Sequence, residues 1–242
     1  MCTVSIIRSD EMIRIACNRD EQRTRLPAFP PALHHLGGTR AILPTDTDAG
    51  GTWIGVNEFG LAMVLLNMNC RDTNSPAPTI SRGMIIPSLI HSATTQAATE
   101  LLNTQTLSCY NPFRLIMVDE EQSIECRFDG RMLTMHKYGR LKKLMFTSSG
   151  LGDDIVDSPR RQLFDQMLIH LSAAAQDAFH RHSWGEQSHL SVCMRRADAM
   201  TVSCTIIEIS SPVASMRYYA GPPDVAAESS VVSLPIRQLS LA

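Results

Sequence analysis

Residues 2–21 constrain this chain more than any other stretch. Thr3–Ile7 and Met12–Cys17 are apolar-rich runs of strand length, and Ser9-Asp10-Glu11 between them has the polarity of a turn. Two strands joined so closely pair antiparallel, so the end of the second returns beside the start of the first. That geometry delivers Asn18, Arg19, Asp20 and Glu21 next to Cys2.

Cys2 directly follows Met1. Removal of the methionine, which a small second side chain permits, leaves one residue with both a thiol and a free α-amine. These are a nucleophile and a base, with ordinary pKa values near ~8.5 and ~8. Such a thiol is only a few per cent ionised at neutral pH, so it gains from a nearby cation or proton acceptor. Arg19 supplies the cation, and Asp20 can hold the α-amine through a charge-assisted hydrogen bond. Each half has an ordinary reading by itself. A second-position cysteine is commonly inert, and Asn-Arg-Asp-Glu is a plausible solvated strand end whose ion pair stabilises little. Their conjunction at hairpin spacing carries the inference.

Composition excludes several classes. A net charge of −2, with no basic run longer than Lys142-Lys143, gives no footprint for nucleic acid. No stretch approaches transmembrane length. Val4-Ser5-Ile6-Ile7 is too short for the apolar part of a signal peptide, so a cytoplasmic location is expected. The seven cysteines are irregularly spaced and include no C-x-x-C pair, which points to neither a zinc site nor a disulfide framework. Cys17, Cys126, Cys193 and Cys204 lie in strand-like runs and read as small buried hydrophobes in a reducing compartment.

Along the chain, Leu26–Leu36 holds Pro27, Pro30 and Pro31 and ends in His34-His35, so it reads as an irregular loop. A strand is predicted at Arg40–Leu43, then a turn over Asp46–Gly51 with two carboxylates. A second hairpin follows: Thr52–Val56 with Trp53, the turn Asn57–Gly60, and Leu61–Leu66 closed by Asn67. Cys70–Pro78 reads as a loop. Apolar spacing predicts a helix over Met84–Asn103 with Pro87 in its first turn. Strands are expected at Phe113–Val118, Ser123–Phe128, Met132–Lys137 and Leu144–Thr147, with Asp129-Gly130 as a hairpin turn. Ser158 as N-cap and Pro159 at the first position predict a helix running to about His180. Leu190–Met194, Thr201–Ile209 and Ser215–Ala220 are the last strands. The cluster His180, His182 and His189 reads as a solvated loop, and 225–242 as a surface tail. Hairpins with two long mid-chain helices mean α+β with antiparallel sheets. There is no internal repeat or linker, so residues 1–242 read as one domain.

Met-Cys-Thr at the start, Cys17-Asn18-Arg19-Asp20-Glu21, and Gly51-Thr52-Trp53-Ile54-Gly55-Val56-Asn57 together resemble the NRDE family, called transport and Golgi organisation protein 2 in eukaryotes. The resemblance is strongest over residues 1–85 and returns over 191–223. That family is similar in turn to the N-terminal-nucleophile (Ntn) hydrolases of the bile salt hydrolase and penicillin V acylase group. It implies a four-layer αββα sandwich with two antiparallel sheets. It also implies hydrolysis of a non-peptide amide by Cys2, tuned by Arg19 and Asp20, with no metal or organic cofactor. Asn67 matches an acylase oxyanion-hole amide, a role that suits a donor that does not titrate; its other reading is a cap on the following loop. The acylases carry Asn at a strand end where this chain has Ser148 or Ser149, a departure that leaves only a hydroxyl donor. An acylase arginine near a helix start matches Arg160, with Arg161 as fallback. Asn18, Trp53, Ser148 and Ser149 are the expected substrate contacts. Arg82 echoes a Ser-Arg-Gly element of the family; otherwise it is a surface charge. The family also implies a second class, a non-catalytic carrier of haem or another apolar ligand, in which Cys2 would serve as a thiolate ligand to iron.

Overall fold

The computed structural model describes residues 2–69, 79–226 and 228–237. In chain order the strands are β1 (Cys2–Arg8), β2 (Ile13–Gln22), β3 (Phe29–Leu36), β4 (Thr39–Thr45), β5 (Ile54–Asn57), β6 (Ala62–Asn67), β7 (Phe113–Val118), β8 (Ser123–Phe128), β9 (Leu133–Gly139), β10 (Lys143–Ser148), β11 (Ala199–Ser210), β12 (Val213–Tyr219) and β13 (Ser230–Pro235). The helices are α1 (Ile85–Leu89), α2 (Thr95–Asn103), α3 (Asp153–Met167) and α4 (Ala173–Arg181). A six-stranded sheet runs β10-β1-β2-β11-β12-β13, and a seven-stranded sheet runs from β3 to β9 in sequence order. All pairings in both are antiparallel.

Side chains alternate across a strand, so each sheet has an inner and an outer face. Val4, Ile6 and Ile15 meet Ile54, Val56, Val64 and Leu66 between the sheets. On the outer face of the seven-stranded sheet, Ile85, Ile86 and Leu89 of α1 pack with Met63 and Leu115. On the outer face of the six-stranded sheet, Phe164 of α3 and Phe179 of α4 pack with Ile7 and Met145. The layers are therefore helix, sheet, sheet, helix. Each fully buried apolar side chain contributes about 1.5–3 kcal/mol, which makes the inter-sheet core the main source of cohesion.

Several expected elements differ. The helix expected over Met84–Asn103 is broken. Asn57 donates from Nδ2 to the carbonyls of Ile90 (2.6 Å) and Ser92 (2.7 Å), taking acceptors a continuing helix would use. Thr94 then caps α2, its hydroxyl accepting from Ala97 N–H at 3.1 Å. The later helix also divides. It starts at Asp153 rather than after Ser158, with Asp153 and Asp154 complementing its N-terminal dipole, and Pro159 lies inside it. Ser172 caps the separate α4.

The proline-rich segment is strand β3 at the edge of its sheet, and its register shifts between Phe29 and Ala32, around Pro30 and Pro31. Edge strands and bulges tolerate proline because its missing N–H faces no partner. Leu190–Met194 forms turns instead of a strand. The expected tail includes β13, which pairs with β12 and buries Leu234. The loop Cys70–Pro78 lies outside the described residues, as does Met1. No helix among the described residues is long and apolar enough to cross a membrane.

Candidate active site

Cys2 begins the second strand of the six-stranded sheet, with Arg19 opposite it on β2 and Ser148 opposite it on β10. The hairpin spacing predicts this neighbourhood. The Ser148 hydroxyl accepts from Cys2 N–H at 3.2 Å. Cys2 is 5% exposed and lines a chamber of about 170 Å³ between the ends of the two sheets. Arg19, Glu21 and Arg25 enter it from the hairpin, Asp46, Thr52 and Trp53 from the turn before β5, Asn67 from the end of β6, and Arg82 from the turn before α1.

Strand parity divides the expected site. Arg19 shares the inner face with Cys2. It pairs with Asp46, lies 3.6 Å from Glu21, and stands over the Trp53 ring with 4.4 Å to the centroid. Asn18, one residue earlier, points to the opposite face. It is fully buried there, donating to the carbonyls of His180 (2.8 Å) and Val192 (2.9 Å). Its expected substrate contact is therefore corrected to a structural one. Asp20 is buried beside the chamber and accepts from the Thr201 hydroxyl at 2.6 Å. Burial raises its pKa against the Arg160 charge and the Thr201 hydrogen bond.

Arg160 is 1% exposed and sits on the outer face beneath Cys2. It donates to the hydroxyls of Thr3 (2.8 Å) and Thr147 (2.6 Å) and to the carbonyls of Leu190 (2.9 Å) and Ser191 (2.7 Å). Thr3 and Thr147 are the residues next to Cys2 and Ser148, so this guanidinium clamps the two strands that carry them. Arg161 instead forms a half-exposed ion pair with Asp157. Ser149 is buried, its carbonyl accepting from Asn69 and its N–H donating to Asp153 at 2.7 Å. It shapes the turn into α3.

A hydrogen bond with the Cys17 thiol lowers the Cys2 pKa; burial opposes this and the Arg19 charge assists it. Cys17, two residues before Arg19 and on the same face, is correspondingly raised. Burial pushes the Asp46 carboxyl up. Hydrogen bonds from Arg25 and from Ala49 N–H outweigh it, with the Arg19 charge, and hold Asp46 below the ordinary carboxylate range.

Asp46, Arg25 and Arg82 were not among the expected site residues. Asp46 carried a local signal, since a carboxylate at the head of Asp-Thr-Asp-Ala-Gly-Gly can accept from the N–H groups that follow it, and here it binds those of Asp48 and Ala49. His180 departs from its solvated-loop reading: it is 2% exposed, with Nδ1 3.0 Å from Asn18 Oδ1 and Nε2 2.7 Å from Ser5 Oγ.

Residues 1–205 match the family model described as Transport and Golgi organisation 2. The chain belongs to that family. No curated protein matches it in sequence. Among solved structures, this family member is similar to a Caenorhabditis elegans ortholog of N-acylethanolamine-hydrolyzing acid amidase. That pair is 16% identical with a TM-score of 0.57, covering 97% of this chain and 100% of the other. It is also similar to a mutant conjugated bile acid hydrolase from Clostridium perfringens, at 11% identity and a TM-score of 0.54, covering 99% of this chain and 97% of the other. At such identities the likeness establishes the fold, that of the Ntn hydrolases.

The chamber does not fit a haem. A porphyrin needs a broad apolar slot, whereas about 170 Å³ lined by Arg19, Glu21, Arg25, Asp46 and Arg82 is small and charged. Among the described residues, no three His, Cys, Asp or Glu side chains converge as a metal site.

Proposed function

We propose that the protein is an N-terminal cysteine hydrolase of a non-peptide amide, active once Met1 is removed. The observation that carries this reading is a buried Cys2 at the wall of a polar chamber, bracketed by Arg19 and Ser148 on the neighbouring strands. Family membership and the Ntn fold support it. Two relatives in fold are named for hydrolysing a conjugated bile acid and N-acylethanolamines.

In this mechanism the free α-amine of Cys2 takes the thiol proton. The thiolate attacks the amide carbonyl carbon, and Asn67 donates a hydrogen bond to the oxyanion that forms. The proton passes to the leaving nitrogen as the C–N bond breaks, leaving a thioester on Cys2. Water then attacks the thioester, giving the carboxylic acid and the free thiol. Arg19 stabilises the thiolate, with its own orientation fixed by Asp46 and Trp53. Asp20 orients the amine, and Arg160 holds Thr3 and Thr147 so that Cys2 keeps its place.

The test compares processed protein, Met1-retaining protein and Cys2→Ser on a panel of amides, with processing read by intact mass. Serine keeps a hydroxyl but does not ionise near neutral pH, so turnover should fall by orders of magnitude while ligand binding remains. Turnover that survives Cys2→Ser removes Cys2 as nucleophile. Saturable binding of an apolar ligand with no turnover of any amide would replace the hydrolase with a carrier.

A further inference from the structure

Among the described residues, three arginines reach the chamber, and their partners differ. Arg19 pairs with Asp46 and Glu21, and Arg25 with Asp46 at 2.9 Å and Asp48 at 3.2 Å. Arg82 makes one hydrogen bond, from Nη1 to the Pro112 carbonyl at 2.9 Å, and no carboxylate pairs with it among the described residues. It is half-buried. Burial lowers its pKa, while Glu21 and the Cys2 thiol are near enough to raise it, and a guanidinium stays charged in proteins. Among the described residues, Asp46 and Glu21 thus balance the hairpin arginines, and the charge on Arg82 has no carboxylate partner.

The backbone holds that charge in place. A Cβ on Gly51 would fall 2.5–2.7 Å from Gly83 main-chain atoms, and one on Gly83 would fall 3.1 Å from Gly51 Cα. Thr52 N–H donates to the Gly83 carbonyl at 2.9 Å. The two glycines let the Ser81-Arg82-Gly83 turn seat directly on the segment that brings Trp53, which together with the Pro112 hydrogen bond holds Arg82 at the chamber wall.

We propose that Arg82 determines specificity by reading a carboxylate on the substrate, making the substrate an amide with an anionic group beside the scissile bond, of the N-acyl amino acid type. This rests on the hydrolase reading above. A guanidinium fork matches a carboxylate through two parallel N–H···O bonds, and such bonds strengthen where water is partly excluded. A second cavity of about 160 Å³ lies across Arg19, Glu21 and Arg25 from the chamber, walled by Leu26, Pro27, Val202 and Tyr218.

The experiment uses two probes with one acyl chain, N-lauroylglycine and N-lauroylethanolamine, which differ in a carboxylate against a hydroxymethyl group. Binding is measured calorimetrically on Cys2→Ala, alone and combined with Arg82→Gln or Arg82→Lys, and turnover on processed protein with and without Arg82→Gln. N-lauroylglycine should bind about 10–100-fold more tightly than the ethanolamide. Arg82→Gln should erase that ratio, Arg82→Lys should keep part of it, and in turnover the preference should lie in KM rather than kcat. Equal affinity for the two probes, or a preference unchanged by Arg82→Gln, overturns the assignment. The same holds if Arg82→Gln shifts only the pH profile of Cys2 alkylation by iodoacetamide, since Arg82 would then serve the thiolate alone. Selective binding that depends on Arg82, with neither amide turned over, upholds Arg82 and removes the hydrolase. Turnover of both amides with no preference does the reverse.

Discussion

The buried hydrogen bonds of His180 make the stability of this fold depend on acid. Asn18 Nδ2 is committed to two carbonyls, so Asn18 Oδ1 must accept and His180 Nδ1 must carry the proton. His180 Nε2 then accepts from the Ser5 hydroxyl, which itself accepts from Gln176 Nε2 at 2.8 Å. Gln176 Oε1 in turn accepts from Arg14 at 2.7 Å. A second ring proton would meet the hydroxyl's own proton in a fully buried space. Burial, with the Arg14 charge behind it, pulls the His180 pKa from 6.5 down to about 3. Above pH 6.5 the ring is neutral folded or unfolded, and this contribution is fully present. As pH falls below 6.5 the unfolded chain takes up the proton first, so stability drops by ~1.4 kcal/mol per pH unit until the folded protein also protonates near 3. The whole interval amounts to roughly 5 kcal/mol, and the span from pH 6.5 to 4.5 to about 3 kcal/mol. Urea unfolding at half-unit steps from pH 7.5 to 4.5, on wild type and His180→Gln, isolates the term, because the carboxylates titrate in both. Wild type should lose about 3 kcal/mol more than the variant. Equal slopes would refute the reasoning. So would an NMR titration of the His180 ring in the folded protein with a midpoint near 6.5.

Three further outcomes follow from the geometry. Asn67→Ala should lower kcat by about 10²–10³-fold with an unchanged urea midpoint if it donates to the oxyanion; stability and activity falling together would indicate the loop-cap role. Gly51→Ala must displace the Gly83 main chain, so unfolding should show a loss of about 1–3 kcal/mol, and the Arg82-dependent preference between the two lauroyl amides should shrink. Arg160→Met strips two buried hydroxyls and two carbonyls of their partner and should destabilise by about 3–5 kcal/mol in chemical denaturation, far more than Arg161→Met.

The hairpin that presents Cys2 was legible because both its strands and its turn are local in sequence. The pairing of Cys2 with Arg19 followed from loop length alone. Asn18 was misassigned for want of one further step: if Arg19 faces the cleft, the Asn18 side chain just before it faces away. The four layers came from family resemblance, since composition and period define only α+β. His180, Asp46 and Arg82 owe their roles to partners far along the chain: Asn18 and Ser5 for the first, Arg19 and Arg25 for the second, Gly51 for the third. Polarity made His180-Arg181-His182 look solvated, and only the sheet packed beneath α4 buries the first of them. Pro30 and Pro31 argued against a strand because an edge position cannot be read locally.

The outer face of the six-stranded sheet explains why Cys2 stays on the inner one. A face covered by helices is ordinarily apolar, yet around the site it carries Thr3, Ser5, Asn18, Asp20 and Thr147, all buried. Left unpaired, each would cost about 1–3 kcal/mol. Each has a specific partner on the helix side or the neighbouring strand: Arg160 for Thr3 and Thr147, Gln176 and His180 for Ser5, His180 and Val192 for Asn18, Thr201 for Asp20. Sliding β1 by one residue would turn Thr3 and Ser5 into the inter-sheet core and set Val4 and Ile6 against Arg160 and Gln176, taking the Thr3 and Ser5 hydroxyls from those donors. The buried polar set therefore specifies one register for β1 between β2 and β10. That register puts a thiol, and not a threonine, at the chamber wall opposite Arg19.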